Sequence, residues 1–521
     1  MKRITMNQSI FIFMVLIFSL VPSKAEVRKI HPANSSSGEA EMSFPLIAST
    51  FFGGKGGDMA NCIAVSDGGD VYVAGFTTSP AFSTTPGAYD ETFNGGRDVF
   101  VCKFDKDLKT LLASTFIGGS GNETCSAIAL DGKGHIYLAG WTSSSGFPTT
   151  PGVYDEKFNG GNTDVFILKL STSLSTLTAS TFLGGSGGDL TRVNRLSIEA
   201  GEGGAVVVVG ITASFDFPTS ADAYDKTFNG GGSDAFVSRL SVDLTALTAS
   251  TFLGGSGEER CGSIVVNPKG DIYVTGTTAS SDFPSTPGAY DRHFNGKEDA
   301  FVSKLTHNLT TLTASTFLGG RGADKADCMT LDEKGNVYVG GCAARGFPVT
   351  SAAYDNNHFG GAEAYVSRLD EDLTTLSAST FLSGKGRGIP IISDIASLFG
   401  GNKWKSAQCT GIICDGKGNI YTASYTRCRD LKTTPRAYGR THNGGVDIFL
   451  ASLDTDLTTV HASTYLGGEG DEETGSALAC EGKDSIFLAG VTSSLNFPLS
   501  LAAYDKSYNG GGDVFVLRIK N

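Results

Sequence analysis

Seven short segments built on Ala-Ser-Thr followed by an aromatic residue punctuate this chain, with their alanines at Ala48, Ala113, Ala179, Ala249, Ala314, Ala378 and Ala462. Three of them, from Ala179, Ala249 and Ala314, share the longer string ASTFLGG. The steps between copies are 65, 66, 70, 65, 64 and 84 residues. Self-similarity at a nearly fixed period marks an array of like supersecondary units, each burying an apolar face against its neighbours. It also lets 521 residues form one array, where a single core stops growing near ~250–300 residues.

The copy from Cys125 to Leu183 shows the unit most plainly. Its apolar runs, rich in β-branched and aromatic residues and bounded by turn signals, predict four strands. They are a (CSAIALD, Cys125 to Asp131), b (HIYLAGWT, His135 to Thr142), c (DVFILKL, Asp164 to Leu170) and d (LTASTFLG, Leu177 to Gly184). Between a and b, DGKG supplies the glycines and aspartate of a tight hairpin. It lacks the alternating carboxylates of a calcium loop.

The long b-to-c connection has regularities of its own. Thr150 before Pro151, like Thr85, Thr286 and Thr434 before their prolines, predicts a helix N-cap with proline at the first helical position. A tyrosine follows in every copy, at Tyr89, Tyr154, Tyr224, Tyr290, Tyr354, Tyr438 and Tyr504. A recurrent loop aromatic is read as packing against its own unit, with a sugar-stacking row as the alternative. An acid opens each c strand, at Asp98, Asp164, Asp234, Asp299, Glu363, Asp447 and Asp513. Catalytic carboxylates come in unequal pairs, so a hydrogen bond to the preceding Asn-Gly-Gly turn is expected.

The phase of the repeat selects the architecture. A lone d strand at Ala48 precedes any a strand, and the last unit stops at its c strand, DVFVLRI from Asp513 to Ile519. Only the N-terminal strand is left to complete the seventh unit, as ring closure requires, whereas an open array leaves two raw sheet edges. An all-β, seven-bladed propeller of four-stranded antiparallel blades is predicted. Strand a, short and built of small residues, is expected innermost, and the serine- and threonine-rich d strand at a half-exposed outer edge.

These residues carry a family resemblance. STFLGG, GNVYVGG (Gly335 to Gly341), FPTTPG (Phe147 to Gly152), AYD and FNGGGSDAFVSRLS (Phe228 to Ser241), recurring in fixed order over about residues 46 to 519, resemble the bacterial SBBP, or seven-bladed β-propeller, repeat. The resemblance implies the propeller fold and an exported or surface context, and no catalytic residues. Blade three departs at RLSIEAGEGG, and blade six lacks Phe-Pro and carries an insertion.

The N-terminus supports export. Lys2 and Arg3, an apolar run from Ile10 to Val21 and Ser-Lys-Ala ending at Ala25 read as a signal peptide, the run being shorter than a membrane span. Residues 26–45 then form a flexible leader and 46–521 the propeller. The formal charge of −13 becomes more negative once Lys2, Arg3 and Lys24 are removed, which speaks against nucleic acid and anionic membrane as partners. A periplasmic, cell-surface or extracellular monomer is expected.

Function is sought where the period breaks. The longest step places an insertion, Lys385 to Gln408, before blade six. Within it, Trp404 stands between Lys403 and Lys405, with Arg387 and Asp394 upstream, and Ile391 to Phe399 suits a short amphipathic helix. These residues are candidates for contacting a ligand or partner, against the plainer reading of a decorative loop or channel plug.

Of ten cysteines, five (Cys62, Cys125, Cys261, Cys328 and Cys409) fall on small-residue positions of strand a, where cysteine acts as a small hydrophobe. The alternative is disulfides, with Cys328–Cys342 and Cys409–Cys428 the best-placed pairs. No metal or haem spacing occurs. The seven histidines occupy different repeat positions, and GGSGG at Gly184 to Gly188 lacks the strand-to-helix context of a nucleophile elbow. The sequence therefore assigns no catalytic residue, cofactor or metal. It points to a non-enzymatic scaffold for a protein or glycan; a secreted hydrolase or lyase and a purely structural surface component are the alternatives.

Overall fold

The computed structural model describes residues 43–190, 197–200, 204–384, 407–473, 477–481 and 485–520. The signal peptide and most of the leader lie outside these residues. So does nearly all of the insertion, including Arg387, Asp394, Lys403, Trp404 and Lys405.

Strands are the regular elements of the described residues, and each sheet runs in the order a-b-c-d. In blade two these are Glu123–Leu130, His135–Thr142, Asp164–Ser171 and Leu177–Leu183, all antiparallel. Strand a of each blade touches strand a of the next, and strand a of the seventh touches that of the first, so the ring closes with a innermost. The seventh sheet is completed as the repeat phase requires. Leu46–Phe52 pairs antiparallel with Asp513–Lys520, and the Lys520 amide donates to the Pro45 carbonyl at 3.1 Å. Its strand a appears as two segments, Glu472–Glu473 and Leu478–Glu481.

The core lies between blades. One cluster joins Tyr72 and Val101 of blade one to Phe166 and Leu168 of blade two. Each interface buries facing rows of two sheets, which drives adjacent blades together by removing apolar area from water.

The outer edge corrects one expectation. The Ser-Thr pair of the Ala-Ser-Thr motif is buried in every d strand: Ser114, Thr115, Ser180, Thr181, Ser250 and Thr251 are all 0 % exposed. The reason is the b-to-c loop, which folds down over the d strand of its own blade. The Thr181 hydroxyl donates to the Asp155 carbonyl and accepts from the Asp155 amide, at 3.0 and 2.9 Å. The Phe182 amide donates to the Asp155 carbonyl at 2.9 Å. The loop thus satisfies the free edge of the sheet, the group of donors and acceptors that otherwise invites edge-to-edge association.

The same loop corrects the predicted helix cap. Thr85-Pro86-Gly87 and Thr286-Pro287-Gly288 form tight turns, closed by Ala88 and Ala289 amides donating back to the threonine carbonyls at 3.1 and 3.2 Å. The glycines take the left-handed φ of +82° and +86° that such turns need. The threonine hydroxyl caps a strand instead. Thr85 accepts from the Ser114 amide and Thr150 from the Ser180 amide, each at 3.0 Å.

The tyrosine row is an inter-blade latch. Amides of Tyr89, Tyr154, Tyr224, Tyr290, Tyr354 and Tyr504 donate at 2.8–3.1 Å to carbonyls of Leu174, Leu244, Leu309, Leu373, Leu457 and Leu108, each in the c-to-d turn of the following blade. These leucines are fully buried and hold φ of +55° to +59°. A bulky residue there costs roughly 1–2 kcal/mol, which burying a leucine side chain, worth about 1.5–3 kcal/mol, offsets.

Strand a carries a feature the sequence reading omits. Its register slips at Asn61, Ser126, Gly262, Asp327 and Thr410. Each slip is a β-bulge, which adds an unpaired residue and sharpens the bend.

Candidate functional site

Six of the seven blade junctions follow one pattern. An aromatic residue early in the b-to-c loop lies against a ring of strand c, as in Phe147 with Phe166 at 4.6 Å and Phe217 with Phe236 at 4.4 Å. The acid opening strand c accepts the amide of the preceding turn, as expected: Asp164 from Asn159 at 2.6 Å, Asp234 from Asn229 at 2.7 Å. A second acid opens strand a of the following blade. Glu259, for example, accepts from the hydroxyls of Thr278 and Ser280 and the Gly255 amide.

The junction of blades five and six breaks this pattern at several positions together. Ala407 stands where the second acid belongs, its amide bonded to Ala362 as the acids' amides are bonded elsewhere. Ser383 replaces the glycine that follows strand d, and its hydroxyl donates to Glu363 at 2.8 Å. In the b-to-c loop of blade six, Leu431 takes the place of phenylalanine. Tyr465, in the place of a strand-d phenylalanine, reaches across: its hydroxyl donates to the Cys428 carbonyl at 2.8 Å and accepts the Leu431 amide at 2.9 Å.

Two of these exchanged residues, Ser383 and Leu431, line a cavity of about 450 Å³. Tyr354, Phe359, Leu382, Leu431 and Phe449 give it apolar walls, while Asp355, Asp430 and Lys432 bring charge to its lining. A pocket with apolar walls and a few convergent polar groups is the ordinary form of a small-ligand or anchor site. Burial pushes the Tyr465 hydroxyl above its usual range, so it serves as a neutral hydrogen-bonding group. Nearer the ring centre, the Gln408 amide donates to Asp327 and the Tyr425 hydroxyl donates to Gln408, joining the two blades through a buried polar chain.

Two histidines also depart from the repeat. His358 and His442 replace loop phenylalanines; the former packs on Phe381 and the latter lies 4.0 Å from Asp447. Their positions in the repeat are legible in the sequence once the copies are aligned.

Of the residues proposed from sequence, Trp404, Arg387, Asp394, Lys403 and Lys405 lie outside the described residues, and the chain enters that stretch from Gly384, which lines the cavity. The cysteines of the two candidate bridges, Cys328, Cys342, Cys409 and Cys428, are all buried. The sulfurs meet across blades: Cys62 and Cys125 are 3.9 Å apart, Cys328 and Cys409 3.7 Å. The strand-a bulge brings this about, because a residue just after the bulge of one blade faces one just before the bulge of the next. Among the described residues no group of three or more His, Cys, Asp or Glu side chains is arranged to hold a metal ion, and no helix is long and apolar enough to cross a membrane.

The SBBP β-propeller repeat model matches residues 114–148. The regulatory protein FlaEY of Caulobacter vibrioides is 27 % identical over 273 residues, covering 49 % of this chain and 26 % of that protein; the chain thus spans about a quarter of that relative's length. Among solved structures, Raptor of Chaetomium thermophilum is 9 % identical with a TM-score of 0.43, over 91 % of this chain and 29 % of that one. The quinohemoprotein alcohol dehydrogenase ADHIIG of Pseudomonas putida HK5 is 9 % identical with a TM-score of 0.37, over 92 % and 76 %.

Proposed function

We propose that this SBBP-repeat propeller is an exported, non-enzymatic binding scaffold that takes a protein or glycan group into the cavity between blades five and six. The observation that carries the reading is co-location. Ala407, Ser383, Leu431 and Tyr465 all depart from the repeat at one junction, and Ser383 and Leu431 line its cavity. A sequence under a structural constraint alone has no reason to collect its departures in one place, whereas a site must be asymmetric in a symmetric ring. The buried acids at the other junctions recur around the ring, which suits a structural role rather than one catalytic centre.

Leu431→Phe restores the repeat residue and fills the cavity. A glycan array and a screen against secreted and surface proteins, run with the wild type and this variant, test the reading. Binding by the wild type that falls at least tenfold in Leu431→Phe, with an unchanged melting temperature, supports it; a ligand bound equally by both overturns the assignment to this cavity. Export is tested by the mature N-terminus: a periplasmic or secreted form beginning at Glu26 is expected, and a cytoplasmic form retaining Met1 overturns it.

A further inference from the structure

The blade junctions hold an unusual arrangement of buried acid. Oδ1 of Asp98, Asp164, Asp234 and Asp513 is buried and has no hydrogen-bond partner, although Oδ2 of each accepts a backbone amide. Facing each, from strand a of the next blade, is a second buried acid: Glu123, Asp189, Glu259 and Asp58 respectively. The two carboxyls converge on one glycine. A Cβ on Gly184 would lie 2.6 Å from Asp189 Oδ2 and 2.9 Å from Asp164 Oδ1; at Gly118 the figures are 2.9 Å to Glu123 Oε2 and 2.6 Å to Asp98 Oδ1. Two ionised carboxylates this close and this buried repel strongly, and a lone buried acceptor with no donor is costly.

The junction of blades five and six supplies a natural control. There the second acid is Ala407, and the converging glycine is Ser383, whose hydroxyl gives Glu363 the hydrogen bond that the other c-strand acids lack. Where the second carboxyl is lost, a proton donor appears in its place. A hydroxyl donor thus occupies the place of the second carboxyl there, and His358 also faces Glu363.

We propose that each of these inter-blade carboxyl pairs closes around one shared proton, with the c-strand acid neutral and its Oδ1 hydroxyl directed at the next blade's carboxylate, so that ring closure takes up protons. Burial is the main cause that raises Asp98 to about 6 and Asp164, Asp234 and Asp513 to about 7. The other charged groups facing these pairs are acids too. Asp90, Asp155, Asp225 and Asp505 face the c-strand members, and Asp216 and Asp282 face Asp189 and Glu259. At two further junctions a base takes part. His358 faces Asp324, opposite Asp299, while His442 and Arg429 face Asp447, opposite Glu472.

The sign follows from linkage. A carboxyl raised on folding contributes stability that is complete below its unfolded pKa and is lost as pH rises through the folded value, here about 6 to 7. Carboxylates that are lowered on folding, such as Asp370 and Asp454, act in the opposite sense and only at lower pH.

Urea unfolding of the full mature chain from about pH 5 to about pH 9 tests the proposal. The folding constant of the wild type should fall steadily from about pH 5 and level off above about pH 7. Asp164→Asn places an amide donor where the neutral acid donates, and should make the slope of log K against pH shallower by about one. The double substitution Ala407→Glu with Ser383→Gly builds a seventh pair and should steepen it by about one. If a variant does not fold, the infrared carbonyl band of protonated carboxyl in wild-type protein at neutral pH decides alone; its absence overturns the proposal. A flat or rising wild-type profile overturns it, as does an unchanged slope in both variants. Recovery of stability at high pH on adding calcium also overturns it, in favour of a cation between the carboxylates.

Discussion

The amide of Tyr504 donates to the carbonyl of Leu108 at 3.1 Å, binding the last blade to the first by the bond that joins each earlier latch to its successor. Blade six is the exception by construction, because its neighbour has no c-to-d turn. In that place Phe44, buried and packed on Tyr421 at 6.3 Å, fills the cluster that Tyr438 also borders.

The latch makes leucine more important than its place in a turn suggests. Leu309→Ala should cost about 2–5 kcal/mol by chemical denaturation, since it empties a closed inter-blade site. Leu309→Gly relieves the left-handed backbone yet should be no more stable than the alanine variant by more than about 1 kcal/mol. Parity between wild type and the glycine variant would show that strain, not packing, dominates.

Removal of residues 1–53 uncovers the backbone edge of Asp513–Lys520, which Leu46–Phe52 pairs along its length. The truncated chain should aggregate or unfold under conditions where the mature chain stays in solution. A stable monomer by light scattering would contradict closure by the N-terminal strand.

Two threonines of one strand should behave oppositely. Thr181 is buried and both gives and receives bonds at Asp155, so Thr181→Val leaves the Asp155 amide without its acceptor and should cost about 1–3 kcal/mol. Thr178, three residues earlier and exposed, should tolerate valine within about 0.5 kcal/mol. Equal costs would mean that the b-to-c loop is not a rigid cover.

Gly254→Ala drives a methyl toward Glu259 Oε2 and Asp234 Oδ1, at 2.7 and 3.0 Å. Overpacking of this kind should cost at least about 1–3 kcal/mol in thermal or urea unfolding. An alanine tolerated at no cost would show that the two carboxyls do not converge there.

Thiol labelling should be graded by burial. Cys480 is exposed and should react first, while Cys62 and Cys102, buried and with thiols pushed well above their usual range by that burial, should react only on unfolding. Under a disulfide oxidant, peptide mapping should find any bridges between blades, at Cys62–Cys125 and Cys328–Cys409; a Cys328–Cys342 bridge would contradict the placement of the sulfurs.

The amino-acid sequence determined the blade count, the order of strands, the closing strand and the role of the acid at each c strand, because these follow from period and local turn chemistry. Ala48 standing ahead of any a strand fixed the phase of the ring. The tertiary structure alone decided what covers the outer edge. The partner of the Thr150 hydroxyl is the Ser180 amide, 30 residues on, so a local reading took that threonine for a helix cap and left strand d half exposed. The same holds for the sulfurs and for the altered junction. Cys62 meets Cys125 through a bulge that has no compositional signal, and Ala407, Ser383 and Leu431 are separate small departures until the fold sets them at one junction. Period and pattern record what each residue does within its own blade; contacts between blades depend on the ring, and only the ring brings them together.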